Sequence, residues 1–114
     1  MQRPLTGPAI SLEKIQKNPD QVQRIVRAFL RATRARKAER AGFTSFAQKK
    51  YGYSKEVMEE AYKYLVDALS QDGFVENAAL QAAIDEAKGL AKITKPINRS
   101  DVVDYGFLRA AVKK

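Results

Sequence analysis

From Pro19 onward apolar side chains recur every three or four residues, a rhythm that predicts helices rather than strands. Val22, Ile25, Val26, Phe29, Leu30 and Thr33 share one helical face, and Arg24, Arg27, Arg31 and Arg34 lie on the opposite side. The start of this helix is well marked. Asn18 is a favoured N-cap, Pro19 suits the first helical position, Asp20 complements the positive helix end, and Gln21 completes a capping box. Beyond Ala35 the pattern fails, because Arg36, Lys37 and Arg40 fall on the apolar face. The helix is therefore expected to fray, bend or lose its cover there, with Gly42 closing the segment.

The same reading continues down the chain. In "FTSFAQKKYGYS" Phe43, Phe46, Ala47 and Tyr51 mark a short helical stretch with Gly52 as C-cap. Ser54 then caps a helix whose stripe is Val57, Met58, Ala61, Tyr62, Leu65, Val66 and Leu69, with Glu56, Glu59, Glu60, Lys63 and Asp67 facing water. "SQDGF" ends it, Gly73 supplying the turn. Asn77 caps a helix bearing Leu80, Ala83, Ile84, Ala87, Leu90 and Ala91. After the connector "KITKPIN", Ser100 or Asp101 begins a last helix with Val102, Val103, Phe107, Leu108, Ala111 and Val112 as its core and Gly106 as a weak point inside it.

Before Pro19 the rhythm is absent. "PLTGPAISL" holds two prolines and a glycine and cannot be helical throughout. Either Ala9–Leu12 forms a short strand, or Ser11 caps a short turn over "LEKIQKN". The fold expected is mainly α, about five helices with a short extended N-terminal segment. It forms one helical domain over residues 1–114: 1–17 extended segment and short turn, 18–41 basic amphipathic helix, 43–112 the remaining helices.

Composition narrows the chemistry. The 114 residues suffice for one core, and 45% hydrophobic with 30% charged residues is ordinary for a folded domain. Cysteine and histidine are both absent, which removes disulfides, thiolate metal sites and Ser–His or Cys–His nucleophile systems. No apolar run suggests a secretory signal or a membrane span, so the chain as given is expected to be cytoplasmic.

Charge is unevenly spread. Residues 1–53 carry twelve Lys/Arg against three Asp/Glu, whereas residues 54–114 carry nine against ten. Such asymmetry can mark a polyanion-binding surface, and the series Arg24, Arg27, Arg31, Arg34, extended by Arg36, Lys37 and Arg40, is its sharpest feature. The simpler reading is a solvated face whose stems cover apolar neighbours, and no second basic helix or recognition motif argues otherwise. Tyr51, Tyr53, Tyr62 and Tyr64 gather near Phe43 and Phe46; a stacking platform for bases is conceivable, but packing explains most of the cluster more cheaply. The acid pairs Glu59–Glu60 and Asp85–Glu86 point outward at helical spacing, with Lys88 an expected ion partner of Asp85. No catalytic, cofactor-binding or metal-binding residue is assigned, no cofactor is expected, and an enzyme is not the expectation. Arg24, Arg27, Arg31 and Arg34 are the candidate residues of an alternative, a small nucleic-acid-binding protein.

The order of these pieces resembles the C-terminal portion of periplasmic substrate-binding proteins of ABC importers, in the nitrate/sulfonate/taurine and thiamine-pyrimidine-precursor group. The resemblance rests on a short "TG" strand and a Ser-led turn, then an "NP"-acid helix start, together "LTGPAISLEKIQKNPDQVQRIVRAFLRATR". It continues with "YGYSKEVMEEAYKYL", the "DGFVENAALQAAIDEAK" segment and the closing "TKPINRSDVVDYGFLRAA", and covers nearly all residues from Leu5 to Val112. Members of that family are two α/β lobes with a cleft between them. The resemblance therefore implies one strand and the helices that pack on the outside of a lobe, with the cleft-lining residues encoded elsewhere and no ligand contacts here. It implies little or no ligand binding by this chain alone, periplasmic residence for a full-length parent, and a permease as partner only for such a parent. Apolar stripes left without their sheet favour association, so a homo-oligomer is expected, formed if need be by element exchange. Membrane insertion is not expected.

Overall fold

The computed structural model describes residues 7–70 and 72–113. It is mainly α: among the described residues there are seven helices and no strand. They are α1 (Leu12–Lys17), α2 (Pro19–Ala38), α3 (Arg40–Tyr51), α4 (Lys55–Ala68), α5 (Asn77–Ala91), α6 (Arg99–Val102) and α7 (Gly106–Val112). Five of these are the elements that the apolar rhythm marks out; the other two come from the Ser11 turn and from a division of the last helix.

The Ser11 turn prevails over the Ala9–Leu12 strand. The Ser11 hydroxyl accepts from the Lys14 N–H at 3.1 Å, and Lys17 pairs with Glu13 one turn along at 2.6 Å, so local bonds favour a helical turn. The Thr6 end of the "TG" strand lies outside the described residues. At Asn18 the backbone carbonyl accepts from Gln21 and Val22 and opens α2, in which Pro19 holds the first position.

Contacts within the chain group into two compact units, Met1–Val26 with Phe74–Lys114, and Arg27–Gly73. In the Arg27–Gly73 unit, α2 does not fray at Ala35. It runs to Ala38 because the cations that spoil the apolar pattern find aromatic faces: the Arg36 guanidinium lies 5.3 Å from the Phe43 ring centre, and that of Arg40 lies 5.5 Å from Tyr62. The break comes at Glu39, and Gly42 sits in the first turn of α3 rather than closing the segment. Helices α3 and α4 pack on each other, with Leu30, Thr44, Ala47, Met58 and Tyr62 as the unit's buried residues. Thr44 is tolerated there because its hydroxyl donates to the Arg40 carbonyl at 3.0 Å. Gly52, at φ 73°, ends α3 in the left-handed conformation, its N–H donating to the Gln48 carbonyl. Two residues on, Ser54 caps α4 by accepting from Val57 N–H at 3.3 Å. The turn after α4 is tied by the Gly73 N–H donating to Ser70 Oγ at 3.0 Å, while Gln71 of the same turn lies outside the described residues.

The other unit is built from α1, the first residues of α2, and α5 to α7, around Val22, Ala79, Leu80, Ile84 and Ala111. Helix α5 starts at Asn77 itself, Glu76 holding the cap position, and ends on Lys92 at φ 55°. The last helix is divided. Asn98 N–H donates to Asp101 Oδ2 at 2.8 Å and fixes α6, whereas the Asp104 carboxylate accepts from Gly106 N–H at 2.8 Å and starts α7 afresh. Gly106 is thus the first residue of a helix and not a weak point within one. Gln23 Nε2 donates to the Phe107 carbonyl at 2.9 Å, joining α2 to α7. The Val75 N–H donates to Tyr105 Oη at 3.2 Å, and Phe74 meets the Tyr105 ring edge-on.

Many residues assigned to apolar faces nevertheless stand at the surface. Phe29, Phe46, Tyr51, Val57, Ala61, Ala87, Leu90, Ala91 and Val102 are all exposed, Leu90 to 81%. In α2, α4 and α5 the stripe that periodicity picks out supplies Val22, Leu30, Met58, Tyr62, Leu80 and Ile84 to the buried set, whereas in α3 the buried side is Thr44 and Ala47; each helix buries only part of its stripe.

Candidate functional site

Of the four arginines singled out by spacing, three present free cations. Arg24, Arg31 and Arg34 are exposed, and none is paired with a carboxylate among the described residues. Arg27 differs: it lies one turn before buried Leu30, is half-buried, and its Nε is shielded from solvent with no acceptor. Its stem does the covering expected of a long side chain beside an apolar face. Arg24 belongs to the unit of α1 and α5 to α7, whereas Arg27, Arg31 and Arg34 belong to the other. Arg34 joins Lys37, Ala38 and Asp72 in lining an open hollow at the end of α2.

Arg36 and Arg40, read as extending the series, turn instead to the rings of Phe43 and Tyr62. The Phe43 and Tyr62 rings are tilted against each other with centres 5.7 Å apart, and the Tyr62 hydroxyl donates to the Arg36 carbonyl. These two rings of the six pack, as the core register of Tyr62 suggested.

The other four stand at the surface. Phe46, Tyr51 and Tyr53 are 59%, 61% and 60% exposed, and Tyr64 is exposed as well. The Lys50 ammonium lies 5.7 Å from the ring centres of both Phe46 and Tyr51. No acidic residue occurs from Arg40 to Lys55, while Arg40, Lys49, Lys50 and Lys55 all do. An i,i+4 Phe–Lys pair followed by tyrosine is the sequence signal of this arrangement. Packing is the cheaper expectation for most of the cluster, and these four rings stand in solvent against it.

The acid pairs hold no shared cleft. Glu60 pairs with Lys63 at 3.2 Å, and Asp85 and Glu86 are exposed. Asp85 accepts from Gln81 Nε2, one helical turn before it, at 3.0 Å in place of the expected Lys88. Among the described residues no group of three or more Asp or Glu is placed to hold a metal ion, and no helix is long and apolar enough to cross a membrane.

Comparison with known proteins finds no family model, no curated protein and no solved structure that matches this chain.

Proposed function

We propose that this chain is a non-catalytic helical segment of a solute-binding protein of the nitrate/sulfonate/taurine and thiamine-pyrimidine-precursor type. Its helices serve to cover the outside of an α/β lobe, and alone it has little or no affinity for a transport ligand. The observation that carries this reading is the set of apolar side chains left in solvent along helical faces: Leu12, Phe29, Val57, Leu90 and Val102. Apolar side chains left exposed on successive helices are what this reading calls for, to be covered by a partner. Helix starts after Ser11, at Pro19 and after Ser54, and the turn at Gly73, fall where the resemblance puts them, which lends it support. The compartment and the permease partner follow the parent protein, periplasmic in that family. Without the lobe the same faces pair with one another, giving a homo-oligomer.

Two measurements test this. Light scattering across a concentration series should give a mass that rises with concentration, and calorimetry with nitrate, taurine, alkanesulfonates and pyrimidine precursors should be silent. A compact monomer at every concentration, or micromolar ligand binding by the chain alone, overturns the reading.

The unpaired, exposed state of Arg24, Arg31 and Arg34 favours one second reading, a small basic helical protein that contacts nucleic-acid phosphates. Gel shifts at two salt concentrations decide it: binding that weakens steeply with salt and disappears when Arg31 and Arg34 become alanine supports it. Binding indifferent to those substitutions removes it.

A further inference from the structure

We infer that Phe46, Lys50, Tyr51 and Tyr53, flanked by Lys49 and Lys55, form a surface that binds single-stranded nucleic acid by stacking bases on the rings and holding phosphates with the lysines. It needs neither the lobe-covering reading nor the arginine face of α2, and each of the three can fail without the others.

Three exposed rings occur within eight residues, Phe46 to Tyr53, at the C-terminal end of α3. Because the Lys50 ammonium is 5.7 Å from two ring centres, Phe46 and Tyr51 are no farther apart than twice that distance. Rings within that bound can be reached by neighbouring bases of one unstacked strand. Alternating aromatic and cationic groups are what sequence-tolerant single-strand binders use: every base has a π-face and every nucleotide a phosphate. The run from Arg40 to Lys55 supplies four cations and no carboxylate, Glu39 and Glu56 lying just outside it, so the stretch that carries the rings is cationic. Lys50 has a double part. In the free protein its charge rests over the two rings, and an arriving phosphate draws it off, opening the ring faces as the charge is neutralised.

Two other polyanions fit less well. A duplex hides its base faces, so it offers the rings nothing to stack on. An anionic membrane calls for a helix with a segregated apolar face. In α3 the inward side is taken by Thr44 and Ala47, and Gln48, Lys49 and Lys50 separate Phe46 from Tyr51.

The test is fluorescence anisotropy with a fluorescein-labelled oligothymidine of about twenty nucleotides, between about 50 and about 200 mM salt. The intact chain should bind, with affinity falling as salt rises, and an unlabelled duplex of equal length should compete poorly. Phe46→Ala and Tyr51→Ala should each weaken binding by about tenfold, the loss of one stacked base. Lys49→Ala with Lys50→Ala should flatten the salt dependence. All four side chains are exposed, and unchanged far-ultraviolet circular dichroism confirms that the fold is kept. The proposal is overturned if the ring variants bind as the intact chain does, if duplex competes equally, or if no oligonucleotide binds. It is equally overturned if the rings prove to matter only for sedimentation with phosphatidylserine vesicles.

Discussion

The hydroxyl of Tyr62 donates to the backbone carbonyl of Arg36 at 2.7 Å, with the Lys37 carbonyl 3.2 Å away. The last carbonyls of a helix have no partner within it, and here a side chain from α4 meets those of α2. One phenolic proton serves chiefly the shorter bond. Tyr62 thereby closes the end of α2, stacks beside Phe43 and carries Arg40 on its face.

Removing only the hydroxyl separates these roles. Tyr62→Phe should cost about 1 kcal/mol, the net worth of one hydrogen bond, with the ring contacts retained. Tyr62→Ala should cost about 3–5 kcal/mol by emptying a core position. Urea unfolding curves of the two variants measure the difference, and equal losses would show that the hydroxyl contributes the whole effect.

Two glycines in open surroundings should respond to the same change with opposite sign. Neither Gly52 nor Gly89 has any atom within 4 Å of an added Cβ, so only the backbone decides. Gly52 sits at φ 73°, and Gly52→Ala should destabilise by about 1–2 kcal/mol. Gly89 lies within α5, and Gly89→Ala should stabilise by about 0.4–1 kcal/mol. Thermal midpoints moving in the same direction would refute this assignment.

Ala79 is 0% exposed and Ala78 beside it is exposed. Ala79→Leu should cost about 1–3 kcal/mol by overpacking, while Ala78→Leu should stay within about 0.5 kcal/mol. Denaturant midpoints for the pair check whether α5 keeps its register about Leu80 and Ile84.

Arg27 holds a shielded nitrogen without an acceptor. Arg27→Met keeps the covering stem and removes the unsatisfied group, so stability should rise, by up to about 1 kcal/mol. A clear loss of stability on calorimetric melting would mean that the guanidinium is bonded in solution.

The helices were largely legible from the sequence because their signals are local. Ser54, Gly52 and Asn18–Pro19 act within a turn of themselves, and a single chain shows them plainly. Less legible were events that depend on residues far along the chain. Nothing near Arg36 announces that Phe43 and Tyr62 will sit beside it and let α2 continue. The division of the last helix hid in Asp104, whose carboxylate captures the Gly106 N–H two residues on, a bond that a regular helical register does not anticipate. For the candidate sites, spacing found the arginine stripe but not the burial of Arg27, and it could not separate ring from ring. Phe43 and Phe46 carry the same apolar weight in a pattern, yet one is half-covered and the other is in solvent.

Tyr62 and Tyr105 have a spectroscopic consequence as well. The chain has no tryptophan and five tyrosines, of which Tyr51, Tyr53 and Tyr64 are already wet in the native state. The ultraviolet change on unfolding should therefore come chiefly from buried Tyr62 in one compact unit and half-buried Tyr105 in the other. Exchanging either for phenylalanine silences one reporter and leaves its counterpart audible. A pair of such melts would reveal whether the two halves of this molecule come apart in one cooperative event or in sequence.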